Sequence, residues 1–258
     1  VVRILGYLSV FWCWMILGGY LGILFPTAVI KTPLAAVLPS GLLSNDLVQR
    51  MVVLRLTQGF NPDAWIPGDP RPSAPFLFTN NWGNAYSLLL PLVLLYISIM
   101  PRGWRRWLLV LAVPISMVPA FLTLNRGMFL GLAVVAVVVV ARFALQGKFK
   151  PVAALVGVCV LGLIVASQLP FLDRLDDRLD TSGTNVARVS VYAETIERTL
   201  AAPIFGYGAP RPADTSSVLP PAGTQGQVWM VMFSHGFVGV GLFLAILLWF
   251  AWRALRLR

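Results

Sequence analysis

The 258 residues are 58% apolar and 12% charged, with a mean hydropathy of +0.79, where a soluble domain carries about a quarter charged residues. That composition excludes an ordinary water-soluble globule. Two cysteines inside apolar stretches, Cys13 and Cys159, exclude a disulfide framework and a cysteine metal site, and read as buried apolar packing.

A span needs about 20 mostly apolar residues to cross about 30 Å of hydrocarbon. The first lies at 4–24; it has no small-residue cleavage site and is long enough to span. A long connection, 25–83, follows. Within it, 27–43 is apolar but broken by Lys31, Pro33 and Pro39, the pattern of a re-entrant or interfacial segment. Four spans then come in quick succession, at 84–100, 107–124, 127–145 and 152–169. Pro91, Pro114 and Pro119 fall inside them, where they should kink a helix rather than end it. A second long connection, 170–227, precedes the last span at 228–252. The expected fold is therefore all-α, a polytopic helical membrane protein of six spans and two long loops on one side. Residues 1–258 read as a single membrane domain, and the opening Val1 suggests a piece cut from a longer chain.

Charge sets the orientation. With the N-terminus inside, the inner segments hold Arg3, Arg102, Arg105, Arg106, Arg142, Lys148, Lys150, Arg253, Arg256 and Arg258, and no acid. The outer segments hold the other ten cations and all ten acids. Short inner loops rich in Lys and Arg are the positive-inside signature, so the net charge of +10 needs no nucleic acid to explain it. Trp104, Trp107, Trp249 and Trp252 fall at inner span ends, as an interfacial belt requires.

Few residues could carry chemistry. Arg126 occupies a tight hairpin at the outer boundary, where orientation does not call for a cation. Snorkelling is the plain explanation; recognition of a diphosphate by the guanidinium fork is the functional one. The single histidine, His235, falls near the outer edge of the last span, about 25 Å from Trp252 if the helix is continuous. It is either a functional group or a hydrogen-bonding partner for a neighbouring helix. Arg188 lies on an outer helix ahead of Glu194 and Glu197, and Arg55 in the first outer loop is a further cation. The acid-rich run 173–180 carries Leu172, Leu175 and Leu179 at helical spacing, with opposite charges three to four apart. That describes a solvated amphipathic helix rather than a metal cluster.

Four short motifs resemble the O-antigen ligase and polysaccharide polymerase superfamily, a group of bacterial membrane glycan transferases. Asn125-Arg-Gly127 opens a span as the family's Ser-Arg-Gly/Ala does, and Phe78-Thr-Asn-Asn-Trp-Gly-Asn84 resembles its Pro-Asn-containing segment just before a span. Arg188 followed by Pro203-Ile-Phe-Gly-Tyr-Gly208 resembles the Arg and Pro-x-x-Gly-x-Gly of its large outer loop. Gly236-Phe-Val-Gly239 matches its Gly-x-x-Gly. One departure stands out. In the ligases a catalytic histidine lies eleven residues before that last motif; here the position is Gln225, followed by Gly226. Gln cannot take a proton, which favours a polymerase or a divergent relative.

The resemblance implies an enzyme of surface polysaccharide biosynthesis in the bacterial plasma membrane, with its active site facing outside. It would move a glycan from a polyprenyl-diphosphate carrier to an acceptor hydroxyl on a glycan or lipid, without metal or other cofactor. Arg126, Arg188 and Arg55 would bind the diphosphate, and His235 or Gln225 would serve the acceptor. The rivals are a transporter or flippase for a lipid-linked glycan and a noncatalytic membrane subunit. Transport wants polar groups at mid-bilayer in several spans, whereas Ala133–Val140 is wholly aliphatic.

Overall fold

The computed structural model describes residues 1–58, 70–167, 183–213, 221–224 and 226–256. The protein is an all-α polytopic membrane protein. Among the described residues, six helices are long and apolar enough to cross a bilayer, and the strands form only two short antiparallel pairs. The chain divides into two compact units, Val1–Asp176 and Asp177–Arg258.

In the first unit, α1 (Val2–Leu24) leads into β1 (Val29–Lys31), three short helices α2 (Leu34–Val37), α3 (Ser40–Leu43) and α4 (Asp46–Val52), and strands β2 (Val53–Arg55), β3 (Thr57–Gln58) and β4 (Arg71–Pro72). Four long helices follow: α5 (Thr79–Ile99), α6 (Trp104–Leu122), α7 (Arg126–Leu145) and α8 (Phe149–Ser167). β1 pairs with β2, with Val29 opposite Arg55, and β3 with β4, with Gln58 opposite Arg71.

The expected spans are present, with one shifted start. α5 begins at Thr79 rather than 84. The Thr79 amide, one of the unsatisfied donors of a first helical turn, donates to Gln58 Oε1 at 3.0 Å, so the polar Asn80–Asn84 stretch is helical. The stretch 27–43, expected to be a re-entrant or interfacial segment, holds one strand and two single-turn helices. Its Val29, Leu34, Val37 and Leu42 are exposed. The reading of both cysteines as buried is corrected as well: Cys13 and Cys159 are exposed. An apolar span looks the same in sequence on its packed and its lipid-facing sides.

The core of this unit joins α1, α5 and α6 through Trp12, Met15, Trp82, Tyr86, Val93 and Met117. Trp82 stacks on Tyr86 at 5.3 Å and donates its indole N–H to the Met15 carbonyl at 3.1 Å. Small residues let membrane helices approach closely: a methyl group on Gly18, Gly19 or Gly22 would meet Ala74, Pro119 or Leu56 within 3 Å. α5 and α6 continue through all three prolines. Pro119 has no N–H for the Ile115 carbonyl four residues back, and the Tyr20 hydroxyl of α1 donates to that carbonyl at 2.7 Å. An inter-helix bond thus restores what the proline removed. α7 and α8 bury almost none of their apolar residues.

The second unit holds α9 (Gly183–Ala201) and α10 (Gln227–Arg256). α9 buries Val191, Thr195 and Thr199 along one face, and Tyr192 stacks on Trp229 of α10 at 4.5 Å. α10 is interrupted at Gly236, whose φ 67, ψ −169 is not helical. The break falls one residue from His235, so the count from Trp252 runs through helix as far as Phe237.

Candidate functional site

In the first unit the hairpin between α6 and α7 is built around Asn125. This residue is buried at the N-cap of α7; its Oδ1 accepts the Met128 amide at 3.3 Å, as a capping side chain should. Its Nδ2 donates to the Asn80 carbonyl at 3.1 Å, tying the hairpin to the start of α5. Gly83 makes room, for a methyl group there would run into the Asn125 side chain. Leu124 turns the chain with φ 50, a sparsely populated region for a residue with a side chain. The next residue after the cap is Arg126, the first of α7, and it is exposed. The hairpin therefore combines the positive end of a helix dipole with a guanidinium, an arrangement suited to an anion. Arg71 reinforces it: its Nε donates to the Thr123 carbonyl at 2.8 Å.

In the second unit the loop after α9 seats against the break in α10. A helix that stops leaves carbonyls without partners. Here the Tyr207 amide donates to Phe233 O at 2.9 Å, and the Gly208 amide to Ser234 O at 2.9 Å. In return the Phe237 amide donates to Pro203 O at 2.7 Å. The backbones approach so closely that only glycine fits on either side. A methyl group on Gly206 (φ 64) would lie 2.5 Å from Phe233 O, and one on Gly236 would lie 2.5 Å from Pro203 O and Ile204 O. The two glycine motifs seen in the sequence are thus the two halves of one joint.

Side chains lock that joint. Tyr207 stacks on buried Phe233 at 4.8 Å and donates its hydroxyl to Arg198 O at 3.0 Å. Arg198 lies over both rings, at 5.7 and 5.4 Å, and its Nη1 reaches Glu194 at 3.0 Å and the Pro212 carbonyl at 2.9 Å. Arg211 covers Tyr207 at 4.6 Å. His235 is the residue before the break and is exposed, while Phe233 and Ser234 beside it are buried.

The sequence candidates fare unevenly. Arg126 sits at the hairpin as expected, and Arg55 lies exposed on β2 of the same unit. Arg188 is on the expected helix α9 and is exposed. Among the described residues of that helix, Arg198 pairs with Glu194. Gln225 and the acid-rich run 173–180 lie outside the described residues. Three arginines at these sites were not among the sequence candidates: Arg71, Arg198 and Arg211. Arg198 could have been found from its i,i+4 spacing to Glu194. Arg71 reaches a carbonyl 52 positions away, and no local pattern announces such a contact.

The profile of the family described as O-Antigen ligase matches residues 111–244, just over half of the chain. No curated protein and no solved structure gives a match.

Proposed function

The chain belongs to the O-antigen ligase family of membrane glycan transferases, and from that we propose that it transfers a glycan from a polyprenyl-diphosphate carrier to an acceptor hydroxyl at the outer face of the bacterial plasma membrane. The observation that carries this reading is the α6–α7 hairpin, where a buried Asn cap presents Arg126 at the positive end of a helix. In the proposed step the acceptor oxygen attacks the anomeric carbon and the bond from that carbon to the diphosphate oxygen breaks. The leaving diphosphate takes up negative charge, which positioned guanidinium groups stabilise without a metal. Arg126 is the first choice for that role, with Arg188 and Arg55 as further donors. The acceptor proton goes to His235, because Gln225 at the family's histidine position cannot accept one.

The rival reading, transport of a lipid-linked glycan, finds little support in the spans. α7 carries no polar side chain between Gly131 and Arg142, and α8 none between Val152 and Ala166 apart from Cys159. A noncatalytic subunit would need none of the three arginines.

The test is extraction of lipid-linked glycans from a strain lacking the protein and complemented with the wild type or with Arg126→Ala. The wild type should consume the lipid-linked donor, and Arg126→Ala should let it accumulate at unchanged protein abundance. Single repeat units on the lipid would mark a polymerase, full-length chains a ligase. Full transfer by Arg126→Ala would remove the basis for the reading.

A further inference from the structure

A different part of the first unit carries a site that the transfer reaction does not use. The connection from α5 to α6 and the first turns of α6 hold Arg102, Arg105 and Arg106 together with Trp104 and Trp107. No Asp or Glu occurs anywhere between residues 70 and 172, so within that stretch no carboxylate neutralises these three cations. Two hollows open here. One, of about 360 Å³, is lined by Arg102, Arg106, Trp107 and Val110. The other, of about 270 Å³, shares both arginines and adds Val2, Ile99 and Trp104.

The side chains are arranged, not splayed. Arg106 Nη1 donates to the Met100 carbonyl at 3.3 Å, which turns its guanidinium back over the loop. Arg105 lies 5.5 Å from the Trp104 ring centre. Trp104 and Trp107 expose more than half of their surface, as indoles at a headgroup boundary do.

We propose that this end of the first unit binds the headgroup of an anionic phospholipid. The guanidinium groups of Arg102 and Arg106 would take the phosphate in the paired geometry that Arg favours. The wall of Val2, Ile99, Trp107 and Val110 would receive the first carbons of the acyl chains. A general excess of cations at the inner ends of spans asks only for charge near the membrane surface. It does not ask for two arginines on one hollow with an apolar wall, and a basic hollow between spans is the geometry that holds acidic headgroups.

Native mass spectrometry of the full chain, titrated in detergent with phosphatidylglycerol or with phosphatidylcholine of the same acyl chains, tests this. Phosphatidylglycerol should be retained in preference. Arg102→Gln with Arg106→Gln should bind it about twenty-five-fold more weakly, two losses of roughly fivefold for cations at a bilayer surface. Arg253→Gln with Arg256→Gln removes the same charge elsewhere and should leave binding nearly unchanged. Arg102→Gln alone, at an exposed position that leaves no buried group behind, should give the single loss of about fivefold and guards against misfolding of the double variant. Equal losses in both double variants would reduce the effect to diffuse charge and overturn the site. So would displacement of the lipid by an equal concentration of inorganic phosphate, which would make this a free-anion site, or equal retention of the two lipids.

Discussion

At the α6–α7 hairpin a side chain sets the geometry, whereas at the break in α10 the backbone does. Asn125 bonds to Met128 and Asn80 with its own amide and leaves Arg126 exposed beside it. At Gly236 three main-chain hydrogen bonds join the loop 203–208 to the interrupted helix and leave His235 exposed beside them. Both regions present one polar group from a buried, satisfied base. They differ in what can be exchanged. A cap tolerates some substitution, because another oxygen can accept the same amide. A joint in which each backbone touches the other tolerates only glycine.

The comparison predicts separable losses of activity and stability. The largest concerns His235. Loss of a general base typically costs about 10²–10⁴-fold in rate, so His235→Gln should nearly abolish glycan transfer. Its exposure means that the melting temperature in detergent should not move. Adding Gln225→His to that variant should not restore transfer. Restoration, or near-normal transfer by His235→Gln, would make His235 a bystander of the joint.

Next comes the joint itself. Gly236→Ala forces a side chain into a backbone region that is nearly glycine-only, a strain of about 1–3 kcal/mol, and drives its methyl group against two carbonyls. Thermal unfolding should shift down markedly and the loop 203–208 should become open to protease. Gly241→Ala, in the same helix with open space around it, should be close to neutral. Equal stability of the two variants would mean that the joint does not hold the loop.

Asn125→Ala should be milder, costing about 1 kcal/mol for the lost cap with some further loss from the Asn80 contact. Asn125→Asp keeps the oxygen that accepts Met128 and should recover the cap but not the bond to Asn80. Transfer should fall along with the cap if Arg126 is positioned by it. The smallest effect is Tyr20→Phe, which leaves the Ile115 carbonyl beside Pro119 without its donor. The expected loss is about 1 kcal/mol, near the net worth of a single hydrogen bond, and would be read in the same unfolding assay.

How much could be read in advance follows the range of the interactions. The six spans were legible because a bilayer selects on a local property, about 20 apolar residues in a row. The order of the motifs was legible because each is a few residues long. That the glycines of 206–208 and 236–239 belong to one joint was not legible. Nothing in either motif says that Phe233 and Ser234 give up their helical partners and take Tyr207 and Gly208 instead. The start of α5 was placed five residues late for a similar reason, since Asn80, Asn81 and Asn84 look like loop until Gln58 is seen to cap the Thr79 amide.

The sequence by itself determined that this is a helical membrane chain, where its spans lie, and that it belongs with the O-antigen ligase family. Those properties are sums over neighbouring residues. The tertiary structure alone decided that α10 is broken at Gly236, that Arg198 clamps the aromatic pair beside the break, and that Arg71 and Asn125 hold the hairpin carrying Arg126. Each of these depends on a hydrogen-bond donor or acceptor meeting its partner across a turn or from another element. Such a partner becomes visible only once the backbone has brought the two together.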